Sequence, residues 1–499
     1  MSVRMLGSAW LAVAALAVAA LAAETEDRWA EAVSSGDAAA VRSLIQQNAD
    51  VNVSLPDGGT ALEFAVRADD LDTAELLIRA GANLQAANRY GVTPLELACV
   101  NGDAAMIRKL LDAGAEANSA NPRGQTVLMT AARTGKTDAL AALLDRGAEV
   151  NAKDRVSEET ALMWAVRENH SGAVQLLLAR GADVNARTTA IQNPPPTTGN
   201  LQGIGRAQNS PKPVPLGGMT PLLYAAREGN ADVARMLIGA GADVNQVEAN
   251  GTSPLVVAIF NGHIDVARFL LARGADVNVS DGFGRAPLWS AVDLRNLDLD
   301  NKTGENPSDR SSALTLIQAL LARGANPNAA LTAEPPSRRW MLPFGASSWV
   351  NLTGQTPLLR AALSGDVAVM RLLLDKGADP NLPTREGTTP LMAAAGVGWV
   401  LTQTYVESKA ASLEAVKLCV EKGAGVNAAN NAGITALHGA ALRGSEEIIE
   451  YLAQHGARLD VKDILGRTPM TFAEGIYMAG KPPERRPTTI ALLERLTQR

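Results

Sequence analysis

The chain has 499 residues, 46 basic against 52 acidic for a net charge of −6, and only 4% aromatic residues within a 46% hydrophobic total. That balance argues against a nucleic-acid partner, which selects a basic face. Two cysteines and four histidines leave no disulfide scaffold, no four-cysteine zinc site and little histidine-rich metal chemistry.

Residues 1–22 read as a secretory signal. Arg4 is the only charge, Ala9 to Leu21 is an apolar run too short to span a bilayer comfortably, and Ala20-Leu21-Ala22 offers a small-x-small cleavage pattern. The expected mature chain is periplasmic or secreted, with no membrane segment left after cleavage. Residues 27–59 then carry the apolar stripe of a helix pair (Trp29, Val33, Val41, Leu44, Ile45) without the motif that opens every later unit.

From residue 60 that motif, a Thr-Pro-Leu-like triplet, recurs. It begins at Thr60, Thr93, Thr126, Thr160, Thr220, Ser253, Ala286, Thr356, Thr389, Thr435 and Thr468, most often at a spacing of 33 residues. A Gly-Ala-Asp-Val-Asn motif follows at Gly181, Gly241 and Gly274, with variants at Gly81, Gly114, Gly147, Gly324, Gly377, Gly423 and Gly456. Fixed-period self-similarity is the signature of a stacked array. One unit, Met219 to Gly251, shows the physics. Thr220 can cap a helix, and Pro221 at its first position loses no needed hydrogen bond. Leu222, Ala225 and Ala226 form a buried stripe, small enough for a neighbouring helix to approach. Gly229-Asn230 breaks the helix, Val233, Met236, Leu237 and Ile238 give a second one, and Gly241 suits its C-terminal cap. Asp243, Asn245 and Asn250-Gly251 suit turns. Such a unit cannot bury its apolar face alone and must stack.

On these residues the sequence resembles the ankyrin repeat family: Thr220-Pro221-Leu222, Ala225-Ala226 and Gly241 to Asn245 match its signature, and Thr435-Ala-Leu-His438 carries the family's histidine. Other units hold Glu63, Glu96, Met129, Met163, Leu223, Val256, Trp289, Leu359 or Met392 at that position, which puts loop rigidity in question but not the fold. The resemblance implies an all-α repeat solenoid of about twelve stacked ankyrin repeats, each a helix-turn-helix plus a β-turn finger. The N-terminal capping repeat would be 27–59, the array 60–466 and the C-terminal capping repeat 467–499. At roughly 8–10 Å per helix layer the solenoid would be about 100 Å long. Cys99 and Cys419 would then lie about 60 Å apart, far beyond disulfide reach, and should be buried free thiols.

Four insertions break the register, at about 187–218, 294–312, 330–352 and 398–410. The first is rich in Pro (Pro194 to Pro196, Pro211, Pro213, Pro215) and reads as an extended loop. The second begins with alternating Asn296, Asp298 and Asp300, whose spacing fails a calcium loop and reads as a solvated acidic segment. The third carries Arg338, Arg339, Trp340, Phe344 and Trp349, types enriched at binding hot spots. These aromatics either cover the adjacent repeats or contact a partner. The fourth reads as an extension of the flanking helices.

No catalytic motif is present, so no catalytic residue, cofactor or metal is expected. The resemblance implies protein binding through fingertips and the inner helix face. Matching positions place Arg89, Tyr90, Arg123 and Phe283 at fingertips, and Arg67, Arg133, Arg167, Arg227 and Phe260 at inner-helix exits. Tyr224 belongs to a stripe four residues after each opening Thr, which is either inter-repeat packing or an apolar strip along the groove. The repeated arginines are either a basic track for an acidic partner or one half of local salt bridges. The expected function is a monomeric, non-catalytic, exported protein-binding scaffold or adaptor. The alternatives are an accessory or protective subunit of an exported enzyme, or a secreted effector.

Overall fold

The opening threonine fixes the start of each inner helix. In eight units its hydroxyl, and in a ninth that of Ser253, accepts the N–H of the residue three further on, as Thr220 does for Leu223 at 3.2 Å. Proline at the first helical position follows in Pro94, Pro221, Pro254, Pro287, Pro357, Pro390 and Pro469. In this computed structural model residues 25–55, 58–192, 214–296, 310–335, 352–397, 408–476 and 483–498 are described. The leader 1–22 and the Arg-Trp segment that holds Arg338, Arg339, Trp340, Phe344 and Trp349 lie outside them, as do the central parts of all four insertions.

The described residues form 24 helices in antiparallel pairs. They fall into two units. The first takes in the described residues up to Thr189 together with Gly217–Asp243, and the second takes in the described residues of Ala190–Leu216 and of Val244–Arg499. Within each, inner helices pack on the next inner helix and outer helices on the next outer one. Fully buried alanines (Ala65, Ala98, Ala131, Ala165, Ala225 in the first unit; Ala258, Ala291, Ala361, Ala440 in the second) set that close spacing. Most outer helices have nine residues, but Arg310–Ala322 and Lys409–Glu421 have 13. The second and fourth insertions therefore each hand about one extra turn to the helix that follows. Asn296, read from sequence as part of a solvated acidic segment, is instead fully buried at the end of helix Pro287–Arg295, where its Nδ2 donates to the Val292 carbonyl.

The asparagine of the Gly-Ala-Asp-Val-Asn motif clips one repeat to the next. Asn118 Nδ2 donates to the Gly147 carbonyl at 3.1 Å, and its Oδ1 accepts the Glu149 N–H at 2.7 Å. The same pair of bonds is made by Asn52, Asn151 and Asn185 in the first unit and by Asn278, Asn328, Asn381 and Asn427 in the second. Gln85 stands at this position in the unit after Asn52. The fingers are held open by a side chain at the start of each tip. Asn88 Oδ1 accepts the N–H groups of Tyr90 and Val92, and Asn121 Oδ1 those of Arg123 and Gln125.

In two of the units that lack the family histidine, glutamate does the same work. Glu63 Oε1 accepts from Asn88 Nδ2 in the following finger at 2.6 Å, and Glu96 is hydrogen-bonded to Asn121 in the same way. His438 bridges the same gap, its Nε2 3.2 Å from the Arg467 carbonyl. Loop rigidity at the first two junctions is therefore retained by a carboxylate. Cys99 and Cys419 are both free and buried, as their spacing implied, and burial pushes the Cys419 thiol up to about 12.

Candidate partner-binding face

The inner helices of the first unit carry a row of arginines lying on aromatic rings. The guanidinium of Arg67 sits 4.9 Å from the Phe64 centroid, that of Arg133 5.5 Å from Trp164, and those of Arg167 and Arg227 5.8 and 4.9 Å from Tyr224. The reason is register. The aromatic is four residues after the capping threonine and the arginine is at or near the end of an inner helix; Arg67 and Arg227 reach a ring one turn back on their own helix, whereas Arg133 and Arg167 reach the ring of the next inner helix. Each such contact places a cation over a ring face, an arrangement contributing about 0.5–1 kcal/mol at exposed sites.

Carboxylates beneath the row decide how much of each cation is spent locally. Glu63, nearly fully buried, takes Arg67 at 3.0 Å. Glu159 accepts from Arg167, whose Nη1 is shared between its two carboxylate oxygens at 3.0 and 3.1 Å, and from the Tyr224 hydroxyl at 2.7 Å. Arg227 reaches Glu228 at 2.9 Å, a contact exposed on both sides and worth little. Arg133 makes no ion pair among the described residues; its charge, with the Asn121 bond, partly offsets the burial that raises the Glu96 carboxyl. The local salt-bridge account thus holds for Arg67, Arg167 and Arg227, and Arg133 is the cation least committed within the chain.

Two expected contact residues are turned inward. Tyr224 is only 5% exposed; burial first, and then its bond to Glu159, raise its phenol well above the ordinary value. It is a bridge between repeats, not an exposed groove residue. Phe283 is 8% exposed although it occupies a fingertip position. The Asp281 carboxylate ties that tip to the N–H groups of Phe283 and Arg285, and Arg285 folds across both Phe283 and Phe260, at 5.3 and 4.9 Å. The N–H of Thr332, from the following enlarged finger, closes on the Phe283 carbonyl at 2.8 Å. Phe260 is half-buried under the same guanidinium. Arg89, Tyr90 and Arg123 are exposed as expected, with Arg89 lying 4.9 Å over the Tyr90 ring.

Sequence reading missed the buried charge network of the second unit. Arg295 pairs with fully buried Asp366 at 2.8 Å, and Arg360 pairs with Asp293 at 2.7 Å while donating to the Asn296 carbonyl at 2.7 Å and to Ser364. Arg360 is the one charged residue in the stripe that includes Tyr224, four residues after an opening threonine. Among the described residues no cluster of three or more His, Cys, Asp or Glu is arranged to hold a metal, and no helix is long and apolar enough to cross a membrane.

Paired helices, clipped turns and a graded inner face define an all-α repeat solenoid of the kind that generally mediates protein–protein contacts. A family model described as ankyrin repeats (3 copies) matches residues 29–121, 101–188, 200–281, 310–400 and 405–476. The chain belongs to the ankyrin repeat family. Among curated proteins it is similar to BRCA1-associated RING domain protein 1 of Caenorhabditis elegans, 32% identical over 129 residues, 26% of this chain and 16% of that protein. It is also similar to cyclin-dependent kinase 4 inhibitor B of Rattus norvegicus, 35% identical over 118 residues, 23% of this chain and 80% of that protein. It thus spans less than a fifth of the first of these and most of the second. Among solved structures it resembles the ankyrin repeat domain of Bcl-3, with a TM-score of 0.38 and 28% identity, covering 46% of this chain and 93% of that one.

Proposed function

We propose that the chain is an exported, non-catalytic scaffold that binds an acidic segment of a partner protein along the inner face of its first unit. The observation that carries this reading is ring-stacked Arg133, which makes no ion pair among the described residues, beside ring-stacked Arg227, whose contact with Glu228 is exposed on both sides. Stacking fixes each planar fork before a partner arrives, so less side-chain freedom is lost when a carboxylate is bound. Exposed Arg89, Tyr90 and Arg123 extend the same chemistry to the fingertips. The apolar leader with its Ala20-Leu21-Ala22 pattern supports export to a periplasm or the exterior.

The test uses the mature chain as bait on the native exported fraction, beside an Arg133→Gln/Arg227→Gln chain of unchanged circular dichroism. Proteins held by the first bait and lost from the second, with retention falling as salt rises, support the reading. Equal retention on both baits moves the binding face elsewhere. Mass spectrometry of the chain from its source tests export: a mature N-terminus just after Ala22 is expected, and an intact Met1 in the cytosol overturns it.

A further inference from the structure

One position recurs at the surface of the inner helices of the first unit. Seven residues after the successive opening threonines stand Arg67, Val100, Arg133, Arg167 and Arg227, and all five are exposed. Each of these inner helices packs on the next, so the five side chains form one column with one residue per helix layer. The column is uneven in what it offers. Arg67 and Arg167 are held by the buried carboxylates of Glu63 and Glu159. Val100 is 46% exposed and brings no charge. Arg133 has no ion pair among the described residues, and Arg227 has an exposed one to Glu228. The two cations most open to a partner are therefore two layers apart, with a spent one between them.

That spacing selects the shape of the occupant. Packed helices lie about 8–10 Å apart. A polyproline II segment has three residues per turn and rises about 3.1 Å per residue, so each turn of about 9 Å presents the same face and matches one layer of the column. A β-strand points successive side chains to opposite sides, so its third residue would face away from the column. An α-helix is about 10–12 Å wide with its side chains and would also lie over Glu168 and Glu228, exposed one residue beyond Arg167 and Arg227. Those carboxylates repel a broad acidic helix and favour a narrow chain. We propose that the acidic segment, whose binding to this face is itself the reading proposed above, is a polyproline II stretch with two carboxylates six residues apart, one on Arg133 and one on Arg227. The residue midway between them is uncharged, because Arg167 is already held by Glu159 and Glu168 stands beside it. An apolar residue three positions outside the Arg133 carboxylate meets Val100.

The probes are capped proline peptides carrying two glutamates separated by six, five or three positions. Each is titrated at low salt into the mature chain carrying isotope-labelled arginine and tryptophan. The expected result is a saturable shift of the Arg133 and Arg227 Nε–H resonances and of the Trp164 indole, over which Arg133 lies. The six-position peptide should bind about three- to fivefold more tightly than the other two, the worth of one exposed ion pair. Arg133→Gln or Arg227→Gln alone should leave a chain that binds all three peptides alike. Equal binding of the six- and five-position peptides to the parent chain overturns the register. Tighter binding of a helix-forming alanine peptide with glutamates eleven positions apart overturns the polyproline II conformation. No shift with any peptide at its solubility limit, while a captured partner protein still loses affinity for Arg133→Gln/Arg227→Gln, overturns the spacing and leaves the arginine face standing. A captured partner indifferent to both substitutions overturns the face itself.

Discussion

The asparagine clips should be measurable one repeat at a time, by losing one and by adding one. Asn118→Ala removes two bonds to the next repeat, 3.1 Å to the Gly147 carbonyl and 2.7 Å from the Glu149 N–H. Each is worth about 0.5–1.5 kcal/mol net, and because both lie near solvent the lower half of that range applies, giving a loss of about 1–2 kcal/mol. Gln85 is the natural counter-experiment. By register its side chain faces the Gly114 carbonyl and the Glu116 N–H, but it is one methylene too long, and its described hydrogen bond is only the backbone one to Asn83. Gln85→Asn should restore the clip and raise stability by about 1 kcal/mol. Urea unfolding followed by circular dichroism reads both. Stability in stacked repeats is a sum of repeat and nearest-neighbour terms, so the loss at Asn118 should also broaden the transition as its interface uncouples. If both variants stay within about 0.3 kcal/mol of the parent, water replaces these bonds without cost and the clip is not a source of stability.

Other expectations follow from the same geometry. Asp366→Ala strands Arg295 in a buried site and should cost about 3–5 kcal/mol, read as a fall in urea midpoint; a near-neutral result would mean water reaches the pair. Tyr224→Phe removes a buried hydroxyl bonded to a carboxylate and should cost about 1.5–3 kcal/mol, with no change in charge. Burial lowers His438 below its ordinary value of 6.5, more than its bond to the Arg467 carbonyl and the nearby Asp463 raise it. The folded state therefore favours the neutral ring; that stabilisation is complete above pH 6.5 and is lost as pH falls from there through the folded value. A thermal midpoint that drops over this range, and drops less in His438→Gln, is the expected result. Both cysteines should resist a thiol reagent in the native chain and react only on unfolding.

Much of the fold was legible because each local signal has a local cause. The opening threonine caps a helix within its own unit, and the spacing of such triplets counts the units. The role of the Asn in Gly-Ala-Asp-Val-Asn was not legible, since its partners are 29 to 58 residues away and in another repeat. Position alone placed Phe283 on the contact face and left Tyr224 between that face and inter-repeat packing. Whether a ring there is open depends on what the neighbouring repeat lays over it: the Glu159 carboxylate in one case, Arg285 and Thr332 in the other. Glu63 and Glu96 were noted as departures from the family histidine, but that a carboxylate reaches the same following finger is a statement about distance, which a sequence does not contain.

The binding claim rests on the arginine row, and one titration addresses it. A protein captured by the parent chain is measured against that chain and against Arg133→Gln/Arg227→Gln, at low and at physiological salt. The account predicts affinity reduced by about tenfold or more in the variant and a shallower salt dependence, since two preorganised cations are gone. Identical affinities and identical salt slopes would contradict it.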